Sequence, residues 1–293
     1  MIGGMNESTD SQAAVRWWIV LAAAMWSTGG LFAKAPIFDT PEWTHDVRGL
    51  VLPFWRALFA GLVLLPMVRR PQWHWLLVPM TLCYAAMNVT YLSAMSYTGA
   101  ANVIWLQMTA PAWVFLLGRL WLKEKATRRD VVMFCFAVTG VATIVWFEFQ
   151  QSHLLGVALG LASGLFYGGV LLFLRRLNTL DAAWLIFVNM VVTVAVTAPS
   201  ALRPEMLPSF AQMATAAAFG IFQLGLPYVL LARGLRTVPP QEASGIGLLE
   251  PVLLPVWVYL AWGEPTSWWT MVGAGMILVG LGLRYLPRRM SRA

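Results

Sequence analysis

The 293-residue chain is 59% hydrophobic and only 11% charged, with a mean hydropathy of +0.68. Soluble domains are normally about a quarter charged, so this composition excludes a water-soluble globular core. The formal net charge of +7 implies no nucleic-acid partner, because the basic residues sit at the ends of apolar segments, where an anionic cytoplasmic leaflet attracts them.

A helix that crosses a bilayer needs about 20 mostly apolar residues. Breaks at charged, proline and glycine clusters predict ten such spans, near residues 17–37, 50–68, 76–96, 101–122, 131–147, 154–174, 183–201, 212–232, 241–262 and 267–286. The first apolar run is too long for a secretory leader and is read as a retained helix. Residues up to about Asp10 are expected to be disordered. The connections are short, the longest running around Thr40, Pro41, Glu42, His45 and Asp46.

With the amino terminus inside, 15 of the 20 Lys and Arg residues fall at cytoplasmic ends, and only Arg48 and Arg203 fall in outer loops. The inner group includes Arg16, Arg69, Lys125, Arg236, Arg284, Arg288, Arg289 and Arg292. That bias predicts two cytoplasmic termini in a multi-pass membrane protein.

The two halves echo each other. Pro111 and Glu124 recur as Pro251 and Glu264 at an offset of 140 residues, and Gly140 and Gly280 keep it. Phe54, Arg56 and Pro66 recur as Phe187, Asn189 and Pro199 at an offset of 133. Each unit holds an odd number of spans, so the copies enter the membrane from opposite sides. The predicted fold is an all-α polytopic membrane protein of ten transmembrane helices, arranged as two inverted five-helix repeats over residues 17–147 and 154–286. Inverted repeats are a common architecture of solute carriers.

Candidate site residues follow along the chain. Trp26 lies within span one beside Ser27 and Thr28. Tyr84, Asn88 and Tyr91 stand at i, i+4 and i+7, on one helix face. Span four carries Trp105 and Gln107, span six Ser163, Phe166 and Tyr167, and span eight Phe222 and Gln223. Glu250 precedes Pro251 near the bilayer centre, where a charge is costly. It has three readings: it holds a substrate amine, takes up a proton, or hydrogen-bonds a neighbouring helix. Pro111 and Pro251 lack an N–H, so the carbonyls of Gln107 and Gly247 lose their helical partners. They are candidate hinges, or kinks that merely shape packing.

The candidate substrate-binding set is thus Trp26, Tyr84, Asn88, Tyr91, Trp105, Gln107, Tyr167, Gln223 and Glu250, with Pro111 and Pro251 as hinges. Aromatic walls with a few hydrogen-bonding groups suit a planar, partly apolar solute; any one of these aromatics reads more readily as packing or lipid-facing, and the set supports a site more than any member does. Lys34, Arg56 and Arg119 are expected to snorkel to an interface. Trp17, Trp18, Trp43, Trp73, Trp75, Trp121, Trp262, Trp268 and Trp269 are expected to be interfacial anchors. Gly156, Gly160, Gly164 and Gly168 form a small-residue stripe that predicts close helix packing.

Enzyme chemistry has little support. His45, His74 and His153 lie in separate loops, Cys83 and Cys135 belong to no motif, and no phosphate-binding loop is present. No catalytic residue, metal or cofactor is expected.

Pro111 followed thirteen residues later by Glu124, repeated as Pro251 and Glu264, resembles the EamA-type members of the drug/metabolite transporter superfamily. Met25-Trp26-Ser27-Thr28, Phe54-Trp55-Arg56 and Ala94-Met95-Ser96-Tyr97-Thr98-Gly99-Ala100 are similar to that family's segments in spans one, two and three. The resemblance implies a ten-helix carrier with a central cavity, most like the bacterial aromatic amino-acid exporter branch (YddG type). The expected function is a secondary transporter that exports small amphipathic metabolites, aromatic and other neutral amino acids first, by alternating access. An alternative is a proton-coupled carrier for lipophilic cations, with Glu250 as the exchange site. Membrane-embedded enzymes and passive channels are the alternatives from other classes. The expected partners are a small-molecule substrate, the lipid bilayer and a proton as candidate coupling ion, with the protein a monomer.

Overall fold

The computed structural model describes residues 16–121, 123, 127–150, 154–235, 238 and 240–285. Glu124, Lys125, His153, Arg236, Arg288, Arg289, Arg292 and the stretch before residue 16 lie outside the described residues. Regular structure among the described residues is entirely helical. In chain order the helices are α1 (residues 16–26), α2 (Gly29–Ala33), α3 (His45–Leu64), α4 (Leu77–Tyr97), α5 (Ala100–Gln107), α6 (Ala110–Trp121) and α7 (Arg128–Gln150). The second half holds α8 (Leu154–Arg176), α9 (Ala182–Ala201), α10 (Phe210–Ala218), α11 (Leu226–Gly234), α12 (Pro240–Gly247), α13 (Leu249–Trp262) and α14 (Trp268–Tyr285).

Eight segments among the described residues are long and apolar enough to cross a membrane, counting α5–α6 and α10–α11 as single passes. They begin at His45–Met67 and end at Gly245–Trp262. Of the other two predicted spans, Trp268–Arg284 is a shorter apolar helix, and residues 16–33 form the interrupted pair α1 and α2. The protein is a multi-pass membrane protein.

Interruptions matter more to the site than the helices themselves. Between α1 and α2, the Ser27 hydroxyl donates to the Ala24 carbonyl and the Thr28 hydroxyl to that of Met25, both at 2.6 Å. Such back-bonding competes with the helical ladder, and the predicted continuous first span is broken there. Thr109 Oγ1 likewise donates to Leu106 O at 2.6 Å where α5 gives way to α6. The break between α12 and α13 falls at Leu248, 140 residues after Met108. Pro111 and Pro251 therefore do not kink a continuous helix. They occupy the first turns of α6 and α13, where a missing N–H costs no intrahelical bond. A π-helical segment, Phe219–Gly225, joins α10 to α11.

Glycine sets the closest helix contacts. A Cβ on Gly140 of α7 would lie 2.6 Å from the Gly273 carbonyl of α14, and one on Gly273 would lie 2.7 Å from that of Gly140. The α8 stripe packs on the broken pass. Gly156 meets Thr98, Gly160 meets Leu106, Gly164 meets Thr109 and the Leu106 carbonyl, and Gly168 meets Trp113. α3 runs between α4, α9 and the π segment, while α13 packs on α2 and α5.

Several predicted anchors behave differently. Trp17, Trp73, Trp75 and Trp268 are exposed, as interfacial residues should be. Trp43 is buried and stacks on Phe38 at 5.4 Å, because the chain after α2 folds back over the bundle before α3 begins. Trp269 turns its indole N–H inward, to Glu148 Oε1 at 3.1 Å. Phe222, expected inside, is 53% exposed and faces outward from the π segment.

Candidate functional site

Arg56 stands on α3, the most enclosed stretch of which runs from Val51 to Ala57. It does not snorkel. Only 6% exposed, it donates from Nε to Gln223 Oε1 and from Nη1 to Asn88 Oδ1, each at 3.0 Å. Its guanidinium carbon lies 4.8 Å from the centre of the Phe219 ring, a cation–π distance. Depth in the span, which suggests snorkelling, does not reveal this role. A usable signal was present, since its counterpart at the 133-residue offset is another polar residue, Asn189.

The partners of Arg56 are themselves tied down. Asn88 Nδ2 donates to the Tyr84 carbonyl, and Gln223 Nε2 to the Trp26 carbonyl at the break between α1 and α2, both at 3.0 Å. The π segment, which widens the helix by one residue per turn, is what carries Gln223 and Phe219 to Arg56. Gly29 permits the approach. A Cβ there would meet Gln223 Nε2 at 3.0 Å and the Tyr91 hydroxyl at 3.8 Å.

Aromatic side chains surround this polar knot. Trp26 packs edge-on against Tyr228 at 5.3 Å, and Tyr84 and Tyr228 are joined through their hydroxyls. Tyr84 and Tyr91 are 4% and 5% exposed, and Tyr167 packs on the same cluster as Tyr84 and Tyr228. Glu250, half-buried in the first turn of α13, interacts electrostatically with Arg56 and Tyr91. Among the described residues its carboxylate accepts no hydrogen bond and forms no ion pair. The structure thus brings Trp26, Tyr84, Asn88, Tyr91, Gln223 and Glu250 together, with Tyr167 adjoining. Trp105 is buried in α5, and Gln107 is committed to Ser163 Oγ at 2.8 Å. Gln107 thus belongs to the packing of α5 on α8, while Trp105 lies in the same buried cluster as Tyr91.

A second polar cluster closes one end of the bundle. Lys34 Nζ reaches Glu264 Oε2 at 3.1 Å and donates to the Thr98 carbonyl at 3.0 Å. Glu264 Oε1 accepts from the Ala100 N–H at 2.7 Å, so it caps α5. Behind it, Thr98 Oγ1 donates to buried Glu148 and accepts from Asn102 Nδ2, both at 3.0 Å, and Thr270 donates to Asn102. A cavity of about 100 Å³ adjoins this cluster. Between the two clusters, α13 is fastened to α1 and α2 by Trp257 on Ser27 at 2.8 Å and by Trp262 on the Leu31 carbonyl at 2.9 Å. Gly30 lets Leu254 and Val258 come close.

The opposite end is more open. Every residue of α5 is buried, whereas among the described residues of α12 Ala243 is buried, Gly245 is exposed and Ile246 and Gly247 are half-buried. A Cβ on Gly245 or Gly247 would meet nothing within 4 Å.

Comparison with known proteins agrees with this architecture. The profile of the EamA-like transporter family matches twice, over residues 15–146 and 154–286. An uncharacterized transporter of Archaeoglobus fulgidus is 25% identical over 268 residues, spanning 90% of this chain and 93% of its own. A protein of known crystal structure, 16% identical, superposes with a TM-score of 0.65 over 95% of this chain and 100% of its own length. That likeness concerns the fold alone.

Proposed function

The chain belongs to the EamA-like transporter family, and from that premise we propose that it is a secondary carrier exporting small amphipathic metabolites, aromatic and other neutral amino acids first. The observation that carries this reading is the enclosed knot of Arg56, Asn88, Gln223 and Glu250 amid Trp26, Tyr84, Tyr91 and Tyr228. Aromatic surface beside a few fixed polar groups is what a planar, partly apolar solute requires.

The proposed mechanism is alternating access between two inverted five-helix units in a bacterial inner membrane, both termini cytoplasmic and the protein a monomer. Helix pairing supports it. α7 packs on α14, α3 on α9, α4 on α8, and the passes containing α5 and α13 pack on α8 and α2. The α7–α14 and α3–α9 pairings each map onto themselves when the halves are exchanged, and the packing of α5 on α8 maps onto that of α13 on α2. The contrast between wholly buried α5 and the open space beside Gly245 and Gly247 of α12 supports a state closed at the Lys34–Glu264 end and open at the other.

Counterflow of labelled phenylalanine, tryptophan, tyrosine and small aliphatic amino acids in liposomes, with and without a pH gradient, tests the proposal. Saturable exchange with an aromatic preference is expected. Equal rates for every solute remove the preference, and non-saturable flux identifies a channel. A second reading, proton-coupled efflux of lipophilic cations, is favoured by the unpartnered carboxylate of Glu250. Proton movement on adding such a cation to the liposomes supports it.

A further inference from the structure

We propose, resting on the amino-acid reading above, that Arg56 and Glu250 grip opposite ends of a zwitterionic α-amino acid, Arg56 its carboxylate and Glu250 its ammonium.

Arg56 is prepared for this. Nε and Nη1 are engaged with Gln223 and Asn88, and Phe219 covers the guanidinium. Nη2 makes no hydrogen bond among the described residues. Nor is it one of the orphaned polar atoms sealed from solvent, which include Arg48 Nε, Trp55 Nε1 and Asn189 Oδ1. A guanidinium held on two of its nitrogens presents the third in a fixed direction, the geometry suited to a carboxylate oxygen.

Glu250 is the complement. An ionised carboxylate only accepts hydrogen bonds, and this one has no donor among the described residues. It interacts electrostatically with Arg56 yet forms no ion pair with it. A buried guanidinium and a half-buried carboxylate held apart are poorly compensated, and a solute with both signs compensates both. A purely cationic solute satisfies Glu250 while Arg56 repels it, and an anionic solute meets the reverse conflict. The aromatic rings of Trp26, Tyr91 and Tyr228 remain for the side chain. Because Arg56 belongs to the first half of the chain and Glu250 to the second, one bound molecule bridges the halves.

Calorimetric binding to the purified full-length protein, with phenylalanine, phenethylamine and 3-phenylpropionate, tests the assignment. The wild type is expected to bind phenylalanine roughly tenfold more tightly than either one-ended analogue, the value of one charge-assisted hydrogen bond. Glu250→Gln should weaken phenylalanine about tenfold and strengthen 3-phenylpropionate, which no longer meets a like charge. Arg56→Lys should weaken phenylalanine and spare phenethylamine. Arg56 also supports Asn88 and Gln223, so its replacement can disturb folding; Glu250→Gln removes no hydrogen bond among the described residues and decides the matter by itself. Equal affinity for the three ligands, binding of none of them, or unchanged selectivity in Glu250→Gln overturns the inference. Counterflow of labelled phenylalanine separates the two readings. Selective binding without movement upholds the zwitterion site and refutes the carrier, whereas movement with selectivity intact in Glu250→Gln upholds the carrier and refutes the site.

Discussion

Lys34 Nζ lies 3.1 Å from Glu264 Oε2, joining the end of the broken first pass to the turn that follows α13. Both side chains are partly exposed, at 22% and 28%, so the pair contributes only about 0.2–1 kcal/mol by itself. Its position gives it leverage, because Glu264 also caps α5 through the Ala100 N–H. In the proposed alternating-access cycle the pair would act as a latch.

Breaking the latch should open that end. Lys34→Met is expected to shift the balance toward the open state by up to about fivefold, the ratio that 1 kcal/mol supports. The readout is the labelling rate of Thr28→Cys by an impermeant thiol reagent, with Cys83 and Cys135 replaced by serine. Glu264→Ala should accelerate labelling more than Lys34→Met, since it also orphans the Ala100 N–H. An unchanged rate in both variants would show that the pair is not a latch.

Glycine-for-alanine exchanges should separate close packing from intrinsic helix preference. Gly140→Ala and Gly273→Ala each drive a methyl to within 2.7 Å of a facing carbonyl, an overpacking that costs about 1–3 kcal/mol. Gly275→Ala on the same helix meets nothing within 4 Å and should stabilise by up to about 1 kcal/mol. Thermal unfolding in detergent should show Tm falling for the first two and holding or rising for the third. Equal effects at all three positions would dismiss the α7–α14 seam.

Gly164→Ala probes the broken pass. Its methyl would come within 2.6 Å of Thr109 Oγ1 and 2.7 Å of the Leu106 carbonyl. The junction of α5 and α6 would have to move. Folded protein with a transport rate reduced tenfold or more, roughly a 1.4 kcal/mol effect, is the expected outcome. Wild-type rates would mean that the junction tolerates displacement.

Gln223→Leu removes both the acceptor for Arg56 Nε and the donor to the Trp26 carbonyl. Losing a buried hydrogen bond to a charged group costs about 1.5–3 kcal/mol. Stability should drop by that order in chemical unfolding, and amino-acid binding should weaken. Gln223→Glu keeps the acceptor and should restore part of both. Failure of the glutamate variant to improve on leucine would argue against the Arg56 contact.

Composition and spacing alone reached far in this chain, because a bilayer punishes any unsatisfied backbone group and leaves few structures to choose from. The all-helical, multi-pass character, the family motifs and the glycine stripe on α8 were all legible. So was the shared face of Tyr84, Asn88 and Tyr91, since helical periodicity is a local property. Tertiary structure decided the rest. It turned Arg56 inward to Gln223, 167 residues away, and seated Glu264 on the amino end of α5, 164 residues away. It also moved the helix breaks upstream of both prolines and left Gln107 occupied by Ser163. No local pattern distinguishes an arginine that snorkels from one that anchors a site at the same depth. The difference lies in which distant acceptors the packed helices bring within 3.0 Å of it.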